Sequence, residues 1–206
     1  MATELKFCGM RREADILAAN ACLPDYIGFV FAAGARRAVT PEAARELRAK
    51  ADPRILAVGV FADQSPAYIA ELAAMVPLDV IQLHGSESET VVEEIRRRTG
   101  KPVWRAFQVT APAVLTAAAE TGADGILLDS GKGSGKTFAW EWLRDFSRPY
   151  MLAGGLDIEN VGEAIKTLSP RGVDVSSALE TDGKKDPEKM RAFAEAVRRA
   201  DSETER

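Results

Sequence analysis

The stretch DGILLDS (124–130) runs directly into GKGSGKT (131–137), and the choice between two folds turns on how the pair is read. An apolar run ends on the carboxylate of Asp129, and a glycine-rich loop carrying Lys132 and Lys136 follows. A nucleotide-binding P-loop needs a glycine five residues before its Gly-Lys-Thr, because the backbone must curl around phosphates. That position here is Ser130. The other reading is a strand that delivers one acid to the rim of a site, with a loop beside it that contacts or covers a ligand. The surrounding chain decides between them.

The same rhythm recurs in both directions from 124–130. A short apolar run, a glycine or polar break and a longer amphipathic stretch follow one another throughout the chain. Strands are expected at LKFC (5–8), YIGFVF (26–31), ILAVGVF (55–61), DVIQL (79–83), PVWRAFQV (102–109), GILLD (125–129), YMLAG (150–154) and GVDVS (172–176). Their Val, Ile and Leu content without strict alternation suits parallel strands covered on both faces. Thr40-Pro41, Ser65-Pro66 and Asp186-Pro187 read as helix starts, with proline at the first helical position. Gly100 and Gly122 read as helix C-caps. Eight strand–helix units in 206 residues predict a single α/β domain, a closed (β/α)8 TIM barrel over 1–206, with a frayed tail at 201–206. An open doubly wound sheet is the second choice, since it rarely needs eight such regular units.

Composition narrows the function. Hydrophobic residues make up 46% of the chain and charged residues 28%, as in an ordinary globular domain with a real core. The longest apolar run, ILAVGVFA (55–62), is far short of the ~18 residues of a membrane span. MATELKFCG has no basic segment leading into an apolar one, so no secretory signal is expected. Cys8 and Cys22 cannot make a disulfide framework, and a reducing cytoplasm is the simplest setting. A net charge of −4 with interleaved signs argues against a nucleic-acid surface but allows a local phosphate pocket.

Barrel enzymes carry their chemistry at the C-terminal strand ends and the loops that follow. Asp129 ends the sixth strand, where aliphatic neighbours desolvate a carboxyl and suit it to donate a proton. A helix cap or a partner for Lys132 or Lys136 is the structural alternative. Cys8 ends the first strand, with Lys6 on the same side to support a thiolate. Burial as a small hydrophobe is its alternative. Gly154 and Gly155 after the seventh strand, with Ser176 and Ser177 after the eighth, form a phosphate-binding pattern of backbone N–H groups and small hydroxyls. Arg36 and Arg37 after the second strand can fork a carboxylate. His84, the sole histidine, cannot make a metal site by itself and reads as pocket lining or a structural residue.

KFCGM, GFVF with ARRAVTPE, VGVF, IQLHG, LLLDS with GSGKTFAW in the family pattern (here ILLDS), LAGGL with IENV, and VDVSSALE with GKKDPEKM occur in order across nearly the whole chain. In combination they resemble the phosphoribosylanthranilate isomerase family. The resemblance implies a (β/α)8 barrel of tryptophan biosynthesis. It implies conversion of N-(5-phosphoribosyl)anthranilate to 1-(2-carboxyphenylamino)-1-deoxyribulose 5-phosphate without cofactor or metal. By position it makes Cys8 the general base, Asp129 the general acid and Arg37 the contact for the anthranilate carboxylate. His84 and Asp174 become substrate-binding residues, and Gly154, Gly155, Ser176 and Ser177 hold phosphate. The acid–base assignment requires the Asp129 pKa to move up and that of Cys8 to move down. The implied partner is the phosphosugar–anthranilate substrate, with no nucleic acid or membrane, in a monomer or homodimer. Ala35 and Ala178 depart from the family's usual Ser and Gly, the second at the phosphate loop. The related histidine-pathway isomerase is a rival, but it carries aspartate where this chain has Cys8. A non-catalytic barrel that binds a phosphorylated ligand is another rival, and it has no need of an opposed acid and base.

Overall fold

The computed structural model describes residues 2–129 and 140–204. The 131–137 loop, with Ser130 beside it, lies outside the described residues, as does the lid or substrate contact expected of it. Eight parallel strands close into a barrel in chain order: β1 (Glu4–Cys8), β2 (Tyr26–Val30), β3 (Leu56–Phe61), β4 (Val80–Leu83), β5 (Val103–Gln108), β6 (Gly125–Asp129), β7 (Met151–Ala153) and β8 (Gly172–Val175). β8 returns to pair with β1, so no barrel edge is left open. Each expected strand is present, trimmed by at most two residues.

The helices form the outer layer: α1 (Glu13–Cys22), α2 (Pro41–Lys50), α3 (Pro66–Met75), α4 (Glu89–Thr99), α5 (Ala113–Glu120), α6 (Val161–Leu168) and α7 (Pro187–Thr204). Thr40 and Ser65 accept from the backbone N–H three residues on, and Asp186 accepts from Glu188 and Lys189. Gly100 ends α4 in the left-handed region, as its sequence position predicts. Gly122 does not end α5. Thr121 caps that helix in extended conformation, and the Gly122 N–H donates instead to the Glu89 carboxylate at the head of α4. Between β6 and β7 the described chain has a short 3-10 turn, Trp140–Leu143.

Strand alternation splits the apolar residues into two sets. One set, including Phe7, Ile27, Phe61, Leu128 and Val173, packs outward against the helices. The other, including Tyr26, Val58, Val80, Trp104, Leu127 and Met151, fills the barrel interior. Filling the lower barrel leaves the upper, C-terminal end as the place where polar side chains can meet. An unforeseen feature follows β8: a hairpin of β9 (Glu180–Thr181) and β10 (Lys184–Lys185) turning at Asp182-Gly183, both at positive φ. That is the backbone of a type I′ turn, for which Asp-Gly is a preferred pair.

The expected fraying at 201–206 does not hold for 201–204, which continue α7. Thr3 donates its N–H and its hydroxyl to the Asp201 carboxylate at 2.9 and 2.6 Å, and this ties the helix end to the start of β1. α7 also packs on α1 and α6, so the last helix closes the outer layer next to the first.

Gly172 shows how tightly the β1–β8 seam is built. A Cβ there would lie 2.5 Å from the Glu4 carbonyl oxygen and 2.6 Å from Met151 Sδ. Gly172→Ala is therefore expected to lower unfolding free energy by about 1–3 kcal/mol, read from the urea midpoint. An unchanged midpoint would show that the seam is slack.

Candidate active site

A cavity of about 710 Å³ opens at the C-terminal end of the barrel. That volume lies within the range of small-molecule sites. The nine residues assigned to a site from the sequence all line it. Cys8 and Asp129 come from the ends of β1 and β6, Arg37 from the loop after β2, and His84 from the residue after β4. Asp174 contributes from β8, with Gly154, Gly155, Ser176 and Ser177 from the turns after β7 and β8. The parallel barrel brings these widely separated residues together because each follows its own strand to the same rim.

Below the rim, Lys6 of β1 and Asp174 of β8 form a buried pair, Nζ to Oδ2 2.9 Å. Burial is the largest single influence and opposes the Lys6 charge, but Asp174 and Cys8 together outweigh it and hold the lysine pKa above its ordinary value. The other Asp174 oxygen, Oδ1, is buried without a partner among the described residues. It is an acceptor awaiting a donor on a cavity wall.

Cys8 keeps some surface toward the cavity while protein rings it on its other sides. A Cβ on Gly28 would sit 2.8 Å from the Cys8 sulfur, so glycine at that inward position on β2 makes the thiol's room. The Cys8 pKa does not fall as the sequence reading requires. Burial pushes it up, the Asp174 charge adds to the rise, and the Lys6 and Lys185 charges offset only part of it. Without a ligand Cys8 is a thiol with cations placed nearby.

Asp129 Oδ2 lies 3.2 Å from His84 Nε2, and His84 Nδ1 lies 3.3 Å from the Gln82 amide nitrogen. Gln82 is fully buried, and its Oε1 has no partner among the described residues. Two proton arrangements fit these distances. In one, the Gln82 NH2 donates to Nδ1 and the His84 Nε2–H donates to a carboxylate. With the amide turned over, Oε1 accepts from Nδ1–H and Nε2 accepts from a protonated Asp129. His84 is thus a partner of Asp129 rather than a bystander.

Gly154 and Gly155 hold φ of 83° and 63°, a conformation open to glycine, and their missing side chains leave backbone facing the cavity. The Ser176 hydroxyl is already used. It donates to the Cys8 carbonyl at 2.9 Å and receives the Lys185 ammonium at 3.3 Å. Ala178, in place of the family's usual Gly, packs its methyl on the core and is not among the residues lining the cavity. Ala35 lines the cavity beside the two arginines.

Glu180 and Lys185 escaped the sequence reading. Glu180 accepts from Arg36, from Arg37 and from Lys185. Burial works to raise its pKa, but the Arg37 hydrogen bonds and the Lys185 and Arg37 charges prevail and hold it at about 2. Lys185 is buried, which lowers its pKa against the pull of Glu180. The available signal was Asp182-Gly183, which predicts a hairpin and so pairs these two residues across it.

The turns after β7 and β8, with an acid, a thiol and an arginine, surround one cavity at the C-terminal end of a (β/α)8 barrel. The family model N-(5'phosphoribosyl)anthranilate (PRA) isomerase matches residues 5–196. The N-(5'-phosphoribosyl)anthranilate isomerase of Endomicrobium trichonymphae is 40% identical, over 91% of this chain and 94% of that protein. The crystal structure of phosphoribosyl anthranilate isomerase from Thermus thermophilus aligns with a TM-score of 0.87 at 36% identity, covering 96% of this chain and 99% of that one. A phosphoribosyl anthranilate isomerase in complex with reduced 1-(o-carboxyphenylamino)-1-deoxyribulose 5-phosphate aligns at 0.84 and 33% identity, covering 95% and 98%. The chain belongs to the N-(5'-phosphoribosyl)anthranilate isomerase family.

The raised Cys8 pKa has a direct readout. Its rate of alkylation by iodoacetamide, followed by peptide mapping to separate it from Cys22, should still climb with pH beyond about 10, where an exposed thiol of pKa about 8.5 has levelled off. A plateau below about pH 8 would mean that the cations, not burial, set the thiol.

Proposed function

We propose that this chain converts N-(5-phosphoribosyl)anthranilate to 1-(2-carboxyphenylamino)-1-deoxyribulose 5-phosphate, an aldose–ketose isomerisation of tryptophan biosynthesis in the cytoplasm. The observation that carries the reading is the meeting of Cys8 and Asp129, from β1 and β6, across one cavity that also holds Arg37 and the turns after β7 and β8. Family membership supports the substrate, and the geometry supports the roles of individual residues.

Asp129, protonated, gives its proton to the furanose ring oxygen. The C1′–O bond breaks, and the anthranilate nitrogen lone pair forms an iminium with C1′. The Cys8 thiolate then takes the C2′ proton, leaving an enolamine that tautomerises to the ketose. For that step the proton sits on the Asp129 oxygen that faces the sugar, while Oδ2 accepts from His84 Nε2–H and the Gln82 NH2 donates to Nδ1. Lys6 and Lys185 supply the positive charge that a thiolate at Cys8 needs. The unpaired Asp174 Oδ1 accepts from a sugar hydroxyl. The substrate carboxylate meets Arg37. The phosphate rests on the backbone at Gly154, Gly155 and Ser177 and on the Ser176 N–H, since the Ser176 hydroxyl is committed to Cys8. Holding both anionic ends fixes the reacting carbons between the thiol and the acid.

Among the described residues no helix is long and apolar enough to cross a membrane.

Loss of anthranilate fluorescence with substrate generated in situ tests the reading. Cys8→Ser and Asp129→Asn should each lower kcat by about 10²–10⁴-fold while circular dichroism stays native. Near-normal turnover in both would remove these residues from the chemistry. Because burial keeps Cys8 protonated, kcat/KM should rise with pH along the limb that Cys8 controls. A fall with pH over that limb would assign the base elsewhere.

A further inference from the structure

Glu180 lies beside the arginine that the proposed function assigns to the substrate carboxylate, yet it is not among the residues lining the cavity. Its two oxygens receive Arg37 as a fork, through Nε on Oε1 and Nη2 on Oε2 at 3.1 Å. A guanidinium is planar with five N–H groups, so a fork along the Nε–Nη2 edge leaves Nη1 and the outer Nη2 hydrogen for another acceptor. Arg37 is also held from its other side. A Cβ on Gly9 would lie 2.5 Å from Arg37 Cδ, so the arginine stem lies directly over the glycine that follows Cys8. Gly9 itself has a φ of 83°, which favours glycine independently.

The carboxylate that grips Arg37 is fixed in turn. Glu180 and Lys185 are register partners in the β9–β10 hairpin, and Lys185 Nζ reaches Glu180 Oε1 at 3.2 Å. The same ammonium donates to the Ser176 carbonyl at 2.8 Å. Arg11 and Arg12 hold the hairpin from below through the Gly183 and Lys185 carbonyl oxygens at 2.6 and 2.8 Å. Glu180 is thus a buried anion on a short, pinned hairpin, with Arg36, Arg37 and Lys185 around it. Three cations face one carboxylate, so the cluster stays positive toward an arriving anion.

We propose that Glu180 is a positioning residue for the substrate carboxylate: it fixes the guanidinium plane of Arg37 so that the remaining edge meets that carboxylate without reorganisation. The inference rests on the proposed function, which gives Arg37 its ligand. Preorganisation of this kind lowers the cost of ordering a flexible side chain on binding. It acts on binding, and through Arg37 alone. A merely structural Glu180 would instead act on the hairpin and, through Lys185 and Ser176, on the phosphate turn.

A double-mutant cycle separates the two. Steady-state kinetics are measured for the wild-type chain, Glu180→Gln, Arg37→Ala and the double variant. Inhibition by inorganic phosphate serves as a readout of the phosphate turn. Glu180→Gln is expected to raise KM about tenfold with kcat changed less than about threefold and phosphate inhibition unchanged. In the Arg37→Ala background the same substitution should add less than about twofold. Glu180→Asp, which keeps the charge on a shorter stem, should fall between wild type and Glu180→Gln, and it carries the test if the glutamine variant does not fold. Effects that multiply across the cycle, an unchanged KM, or weakened phosphate inhibition would each overturn the assignment. A wild-type chain without turnover would instead overturn the proposed function, and the inference with it.

Discussion

Lys6 and Asp174 face each other across the β1–β8 seam, register partners whose side chains meet inside the barrel at 2.9 Å. Much else depends on this contact. It lies where the last strand closes on the first, so the ring and the pair form together. Removing one member of such a pair strands a charge in the interior, at a typical cost of about 3–5 kcal/mol. The pair also defines the floor of the cavity, with apolar side chains such as Leu127 and Met151 below it and Cys8 above. Asp174 is not a free acid, since one oxygen serves Lys6 and the other is buried without a partner among the described residues. The same ammonium that neutralises Asp174 offers its charge to the Cys8 sulfur.

From that floor upward the site divides into two halves joined by backbone. On the β4–β6 side, Gln82, His84 and Asp129 form a line of side chains suited to carrying a proton. On the β1–β8–β2 side, Cys8, Ser176, Lys185, Glu180 and Arg37 are linked by hydrogen bonds and ion pairs. The second half joins the Cys8 backbone, the turn after β8 and Arg37 within one network. The barrel frames this network at Cys8 and Ser176, while Glu180 and Lys185 come from the β9–β10 hairpin and Arg37 from the loop after β2.

Much of this was legible in the sequence, and the exceptions share a cause. Strands buried on both faces leave a strong signature, so β1 to β8 fell within two residues of their expected ends. The nine residues assigned to a site line one cavity because strand ends in a barrel all point to one rim. Gly122 was misread because a glycine after a helix can equally well free an N–H for a carboxylate from a distant helix, here Glu89. Glu180 and Lys185 were missed because charged residues in ALETDGKKD look like a solvated turn until the hairpin pairs them. The Cys8 pKa went the wrong way because a neighbouring lysine is visible in sequence and the depth of burial is not. Sequence shows which charges are adjacent along a strand, whereas desolvation depends on the whole barrel.

The central claim is that one cavity holds both anionic ends of the substrate and sets its sugar carbons between Cys8 and Asp129. The most direct measurement is a crystal structure of the chain with the reduced product analogue bound. The account places the phosphate against the Gly155 and Ser177 backbone, the aryl carboxylate on the outer edge of Arg37 with Glu180 still on its inner edge, and C1′–C2′ between the thiol and the carboxyl. A phosphate bound in another part of the barrel, or Cys8 and Asp129 on the same side of the sugar and out of reach of C2′ and the ring oxygen, would contradict it.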